Sequence, residues 1–230
     1  MRTSFTFAAL VAALSIGCVK SDSIKQQAAF EVEPLDACVA IVVDMSGSFS
    51  DSWGDRAYRV FLEISEQFFT ESLGGNSRLV LAQMSNNNDF LLWEGHPSEL
   101  RSRFPSPEAF NQFLKERSDP QGSPVYDATK EAVSYVSTMH GVESQTRLLT
   151  VMLSDMIDYR ADTAEQKTSG YQMLEALKTY QEQGGGLALY FVDHRETSRW
   201  QRILDKAGFE SGQYVIQSSL VDRPTLPRLD

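Results

Sequence analysis

From residue 37 onward, short apolar runs alternate with longer stretches in which apolar residues recur every three or four positions. The runs at 38–43, 78–84, 147–153 and 187–192 are rich in Val, Leu and Ile, and several are apolar on both faces, as central strands of a parallel sheet are. Residues 90–93 predict a shorter edge strand, and 214–216 predict a sixth strand. Ala57, Phe61, Ile64 and Phe68 stand at helical spacing, with Gly74-Gly75 as a stop. Residues 97–103 and 107–117 each begin with a proline, which a first helical turn tolerates, and predict two short helices. Ala128, Ala132, Tyr135, Val136 and Met139 mark a longer helix ending near Gly141. Leu174, Leu177 and Tyr180 mark the next, closed by Gly184-Gly185-Gly186. Trp200, Ile203, Leu204 and Ala207 mark the last, before Gly208.

This alternation predicts an α/β fold: a doubly wound, mainly parallel six-stranded sheet with helices on both faces, Rossmann-like in plan. Ligands bind such sheets beyond the carboxyl ends of the strands, where the strand order switches. Asp44, Asp155 and Asp193 each fall just after a predicted strand, which would crowd their carboxylates at one sheet edge and favour a cation there. The stretch Asp44-Met45-Ser46-Gly47-Ser48 concentrates this chemistry. On the residues alone two readings stand. One is a hydroxyl-bearing turn that caps the following helix; the other is a set of hard oxygen donors for a metal ion.

Composition narrows the partners. A chain of 230 residues with 42% hydrophobic positions can bury one full core. A formal charge of -10 argues against nucleic acid, whose backbone needs a basic face. At the N-terminus, Arg2 precedes residues that are apolar or small from Phe5 to Gly17, which predicts an export signal over 1–17. That run is too short for a lasting membrane span. Leu14-Ser15-Ile16-Gly17-Cys18 resembles the lipobox of bacterial lipoproteins, which implies acylation of Cys18; Leu14 stands one place further upstream than in that motif. Plain signal cleavage and a retained anchor are the other readings. Residues 18–36 are expected to be a flexible tether, and Cys38 a buried apolar residue rather than a disulfide partner of Cys18.

Three stretches carry a second resemblance. Asp44-Met45-Ser46-Gly47-Ser48 after an apolar strand resembles the first element of the metal-ion-dependent adhesion site (MIDAS) of von Willebrand factor type A (vWA) domains. Gly122-Ser123-Pro124-Val125-Tyr126-Asp127-Ala128 resembles the second, with Ser123 in place of the family's threonine. Ser154-Asp155 resembles the third, with Met156 in place of its glycine. The resemblance spans roughly residues 37–216. It implies that Ser46, Ser48 and Ser123 coordinate a divalent cation while Asp44 and Asp155 act largely through waters or through those serines. Hydroxyl and carboxylate oxygens suit Mg²⁺ or Mn²⁺ better than zinc, with Ca²⁺ less favoured. The family's mode of recognition, a partner protein's carboxylate completing the metal shell, follows by the same resemblance.

Other candidates are weaker. Ser46 or Ser48, Asp155 and His194 occur in the chain order of an α/β-hydrolase triad, but Gly-x-Ser-x-Gly is missing around Ser46. His194 then reads as a loop histidine. An aspartyl phosphatase would need an acid where Ser46 stands. His96 and His140 are isolated from zinc-type partners. Asn86-Asn87-Asn88-Asp89 reads as a solvated loop or a ligand rim, Asp158 as an exposed loop charge, a further ligand or an outer carboxylate, and Trp53 and Trp200 as packing residues.

The combined expectation is a signal peptide over 1–17, a tether over 18–36, a vWA domain over 37–217 and an irregular tail over 218–230. The chain is expected in a bacterial cell envelope, held to the membrane only through a lipid on Cys18. It is expected to bind a protein through a cation at Asp44, Ser46, Ser48, Ser123 and Asp155, and not to be an enzyme. A structural subunit of the same fold without a functional metal is the alternative; a serine hydrolase is a third.

Overall fold

The structure, a computed structural model, describes residues 33–72, 75–84, 90–117, 123–160, 163–218 and 224–229, without the side chains of 47–57 and 71–72. The proposed signal, Cys18 and most of the tether lie outside the described residues, as do the loop at 85–89 and the side chains of Ser48 and Trp53.

The strands are β1 (Ala37–Asp44), β2 (Ser77–Met84), β3 (Leu91–Gly95), β4 (Arg147–Leu153), β5 (Gly186–Tyr190) and β6 (Tyr214–Gln217). They form one six-stranded sheet in the order β3-β2-β1-β4-β5-β6, parallel except for β3. Every residue of β1 is buried, as a run apolar on both faces requires. Val43 sits opposite Gln83 on one side and Leu153 on the other, so β1, β2 and β4 finish level with one another. Strand order reverses at β1, whose next strand in sequence lies on one side and β4 on the other. The switch point is therefore the gap between the ends of β1 and β4.

Helices α1 (Gly47–Ser72), α2 (Leu100–Arg103) and α3 (Pro107–Arg117) connect the first half, and α4 (Val125–Thr138), α5 (Ala164–Glu182) and α6 (His194–Ala207) the second. Alternate β1 residues divide the core. Cys38, Ala40 and Val42 share a cluster with Val133, Leu177 and Trp200 from α4, α5 and α6. Val39, Ile41 and Val43 share the other with Phe61, Ile64 and Phe110 from α1 and α3. The result is the expected three-layer plan.

Local chemistry sets the boundaries. Residues 97–103 start as a 3-10 turn (Pro97–Glu99) before α2, because the His96 ring accepts from the Ser98 amide and Glu99 N donates to His96 O. Thr163 caps α5 by accepting from Gln166 N at 3.0 Å. Gly208, at φ +94°, ends α6 in the left-handed conformation that glycine adopts freely. Gly185 is fixed by a close approach: a Cβ there would lie 2.5 Å from the Tyr180 ring. Tyr180 is fully buried and its hydroxyl donates to Gly186 O at 3.2 Å.

Cys38 is buried beside Met139, 3.7 Å away, and burial pushes its thiol pKa up to about 12. In the tail, 224–229 is irregular but held: Tyr190 donates to Thr225 O at 2.6 Å, and Leu226 and Leu229 pack on the α1-side core. Among the described residues no helix is long and apolar enough to cross a membrane.

Candidate functional site

The end of β1 presents Asp44, 1% exposed, to hydrogen-bond donors from two further loops. Its Oδ1 accepts from Ser46 N at 2.9 Å and from the Ser123 hydroxyl at 2.5 Å. Its Oδ2 accepts from the Ser154 hydroxyl at 2.7 Å. Ser154 Oγ in turn accepts from Met156 N at 2.9 Å, so the β4 loop is folded around the same carboxylate. Residues separated by 79 and 110 positions thus converge on one buried anion. A buried carboxylate is costly unless hydrogen-bonded, and these donors satisfy it.

This pattern bears on what the hydroxyls can do. Ser123 spends its proton on Asp44, which leaves its oxygen lone pairs for another electrophile. Asp44 itself has both oxygens engaged. The structure therefore places Asp44, Ser46 and Ser123 together at the switch point, with Asp155 on the adjoining loop. Ser48 follows on the first turn of α1, its side chain outside the described atoms.

Asp155 is half-buried and accepts from Ile157 N at 2.9 Å. Burial pushes its carboxyl above the usual carboxylate range, and the charges of Asp44 and Asp193 add to this; the Ile157 amide works in the opposite direction. Asp193, the third acid read from the sequence, has a role of its own. It caps α6 by accepting from Arg195 N at 2.8 Å and binds the Arg195 guanidinium at 3.0 Å, which holds its carboxyl down to about 2. Its amide donates to Asp155 O at 3.0 Å, tying the β4 and β5 ends together. Among the described residues no three His, Cys, Asp or Glu side chains form a metal-type cluster. The donor set at this edge is hydroxyl-rich, the kind that suits a hard, well-hydrated cation.

Met156, which stands where the resemblance would have a glycine, has a left-handed backbone with φ +62°. For an L-residue that conformation costs roughly 1–2 kcal/mol. Its side chain, 1% exposed, lies in the core cluster that includes Tyr126 and Trp200, and Trp200 Nε1 donates to Met156 O at 3.4 Å. Side-chain burial and the Trp200 hydrogen bond accompany this backbone and offset its cost. Phe191, after β5, is also left-handed, at φ +68°.

Asp158 is corrected by the structure. It is neither an exposed charge nor turned to the other acids: it is 5% exposed and accepts from Tyr126 N in the first turn of α4. Arg160 grips it with Nε at 3.1 Å and Nη2 at 3.0 Å. The Arg160 Nη1 reaches Asp127 at 2.6 Å. This clamp fixes the β4–α5 loop against the start of α4, two residues beyond Ser123. Above it, Ile157 and Tyr159 are exposed beside Asp155. The residues missed by sequence reasoning are Ser154, visible as the serine of Ser154-Asp155, and Asp127, for which no sequence signal pointed to Arg160.

His194 does not link the triad candidates. It is 86% exposed in its side chain, and its Nδ1 lies 3.4 Å from Asp193 Oδ1. Trp200 is fully buried, as expected of a packing residue.

No protein-family model and no curated protein matches the sequence. Solved structures do match. The pilus adhesin SpaC from Lactobacillus rhamnosus GG, in its open conformation, superimposes on 81% of this chain with a TM-score of 0.52 and 14% identity. The PilB minor pilin from Streptococcus sanguinis superimposes on 83% with a TM-score of 0.50 and 14% identity. The fold is vWA-like. This chain spans 28% of the adhesin and 58% of the pilin, so the likeness is to one part of each.

Proposed function

We propose that this chain is an exported vWA-type binding module that holds a divalent cation at the β1–β4 switch point and presents it to an acidic side chain of a partner protein. The observation that carries this reading is Asp44, buried and accepting from Ser46 N, Ser123 and Ser154 at the junction of three loops. Ser46, Ser48 and Ser123 would supply hydroxyl oxygens to Mg²⁺ or Mn²⁺. Asp44 would orient the Ser123 hydroxyl, and Asp155 would contribute the adjoining negative charge. Neutral hydroxyls leave the ion's charge largely unquenched, so a partner's carboxylate can complete its shell. The raised Asp155 carboxyl supports this, since a nearby cation relieves what burial and the neighbouring anions impose.

Export rests on the residues at 1–17, and anchoring on acylation of Cys18. The pilus adhesin and pilin show that this fold occurs in surface-assembled proteins. They support a binding or assembly role over catalysis.

Magnesium titration by calorimetry and by thermal unfolding tests the site, with Ser123→Ala and Asp44→Ala beside the wild type. At a hundred times its dissociation constant the ion should add about 2.7 kcal/mol of stability to the wild type. Ser123→Ala should fold and bind at least tenfold more weakly. Absence of binding by the wild type to both Mg²⁺ and Mn²⁺ at millimolar concentrations would leave the structural subunit as the reading.

A further inference from the structure

We propose that the groove between α5 and α6 is a docking site for an acidic peptide segment of a partner protein, separate from the candidate cation site. The chain carries a formal charge of -10, yet one face of α6 is basic: Arg195, Arg199, Arg202 and Lys206 recur at spacings of four, three and four. Arg195 is engaged by Asp193 and Arg199 by Glu196 at 3.6 Å; Arg199, Arg202 and Lys206 line a groove of about 330 Å³, with Lys167 of α5 also in its lining. Lys167, Arg202 and Lys206 form no ion pair among the described residues, and all three are exposed. Cations left unpaired in an acidic protein create a local positive field that attracts a negative ligand.

The groove is not only charged. Tyr126, Leu174 and Ile203 line it, and the Tyr126 ring lies against α5 beside Gly170. Arg199 lies over the Tyr126 ring, 5.4 Å from its centroid, which keeps the ring face within the groove wall. Tyr171, in the groove's lining, is 69% exposed and free to meet a ligand there. Exposed Tyr and Arg around an apolar floor are the residue types that interface centres favour.

The shape selects the occupant. A concave slot between two helices takes in one or two apolar side chains, with the flanking cations placed to meet carboxylates on either side of them. A flat anionic bilayer would reach the rim but not the floor, and the net charge of the chain repels a nucleic-acid backbone. An acidic segment bearing Leu or Phe among Asp and Glu satisfies both the floor and the rim.

The test uses the full chain and a fluorescein-labelled twelve-residue peptide alternating Asp or Glu with Leu or Phe, measured by anisotropy in EDTA. Chelation separates this site from the cation reading, so either can fail while the other stands. Saturable binding should appear, with amide shifts confined to α5, α6 and the start of α4. Combined Arg202→Glu and Lys206→Glu, both at exposed positions, should weaken it at least tenfold, and Tyr171→Ser at least threefold. The proposal is overturned by no saturation up to millimolar peptide, by equal affinity in the charge-reversed protein, or by equal binding of a peptide with Gly in place of Leu and Phe. Retention on phosphatidylglycerol vesicles that the peptide does not compete away would equally overturn it, in favour of a membrane contact.

Discussion

Replacing Arg160 with methionine isolates the clamp beneath the site loops. The Arg160 side chain is 6% exposed and that of Asp158 1%, so the pair is largely removed from water. Methionine preserves much of the stem's volume but takes away both hydrogen bonds to Asp158, the one to Asp127 and a longer one to Ser169 at 3.4 Å. Asp158 would keep only backbone donors, Tyr126 N and Arg160 N, which a methionine at 160 retains. Stranding one charge of a buried pair costs about 3–5 kcal/mol. The Glu165 contact, 74% exposed on that side, adds little because solvent screens it. For a folded unit of this size, roughly 2–4 °C of melting temperature accompanies each kcal/mol, so a fall of about 6–20 °C is expected. Urea and thermal unfolding by circular dichroism measure it. The paired substitution Arg160→Met with Asp158→Asn, which removes the stranded charge, should recover at least half of the loss. A single-variant loss below about 1 kcal/mol would refute the reasoning, because it would make the clamp no stronger than an exposed ion pair. So would a double variant as unstable as the sum of the singles.

Two further outcomes follow from the core. The Cys38 thiol, pushed up to about 12, should resist a disulfide reagent at pH 8 in the folded chain and react within seconds in denaturant. The same shift makes stability fall as pH rises from about 9 towards 12, since the unfolded thiol loses its proton first; urea titrations across that range measure the slope. Gly185→Ala drives a Cβ to 2.5 Å from the Tyr180 ring and should destabilise by about 1–3 kcal/mol, read as a lower urea midpoint.

The sheet was legible because parallel strands buried on both faces leave uninterrupted apolar runs; β1 and β4 sit within one or two residues of where those runs fall. The helix ends at Gly208 and after Glu182 were legible for the same kind of local reason, a glycine stop. The convergence of Asp44, Ser123 and Asp155 followed from strand-end placement together with the family resemblance. Asp158 was misread because burial depends on a partner far away in sequence: its donors come from residues 126 and 160, and only the folded loop brings the first of these close. The positive φ of Met156 was hinted at by the glycine of the resemblance, but the burial of its side chain was not legible, because the packing partner Trp200 lies 44 residues away. The basic face of α6 was present in the sequence as a spacing, but the floor that turns it into a groove belongs to α4 and α5.

Met156 has a consequence for how the loop after β4 responds to change elsewhere. A glycine adopts a left-handed backbone without steric cost, whereas a methionine is disfavoured there, and here its buried side chain and a hydrogen bond from Trp200 to its carbonyl offset that cost. The loop that carries Asp155 thus takes its shape on loan from α6. Losing the Trp200 hydrogen bond would leave the left-handed backbone of Met156 held by side-chain burial alone.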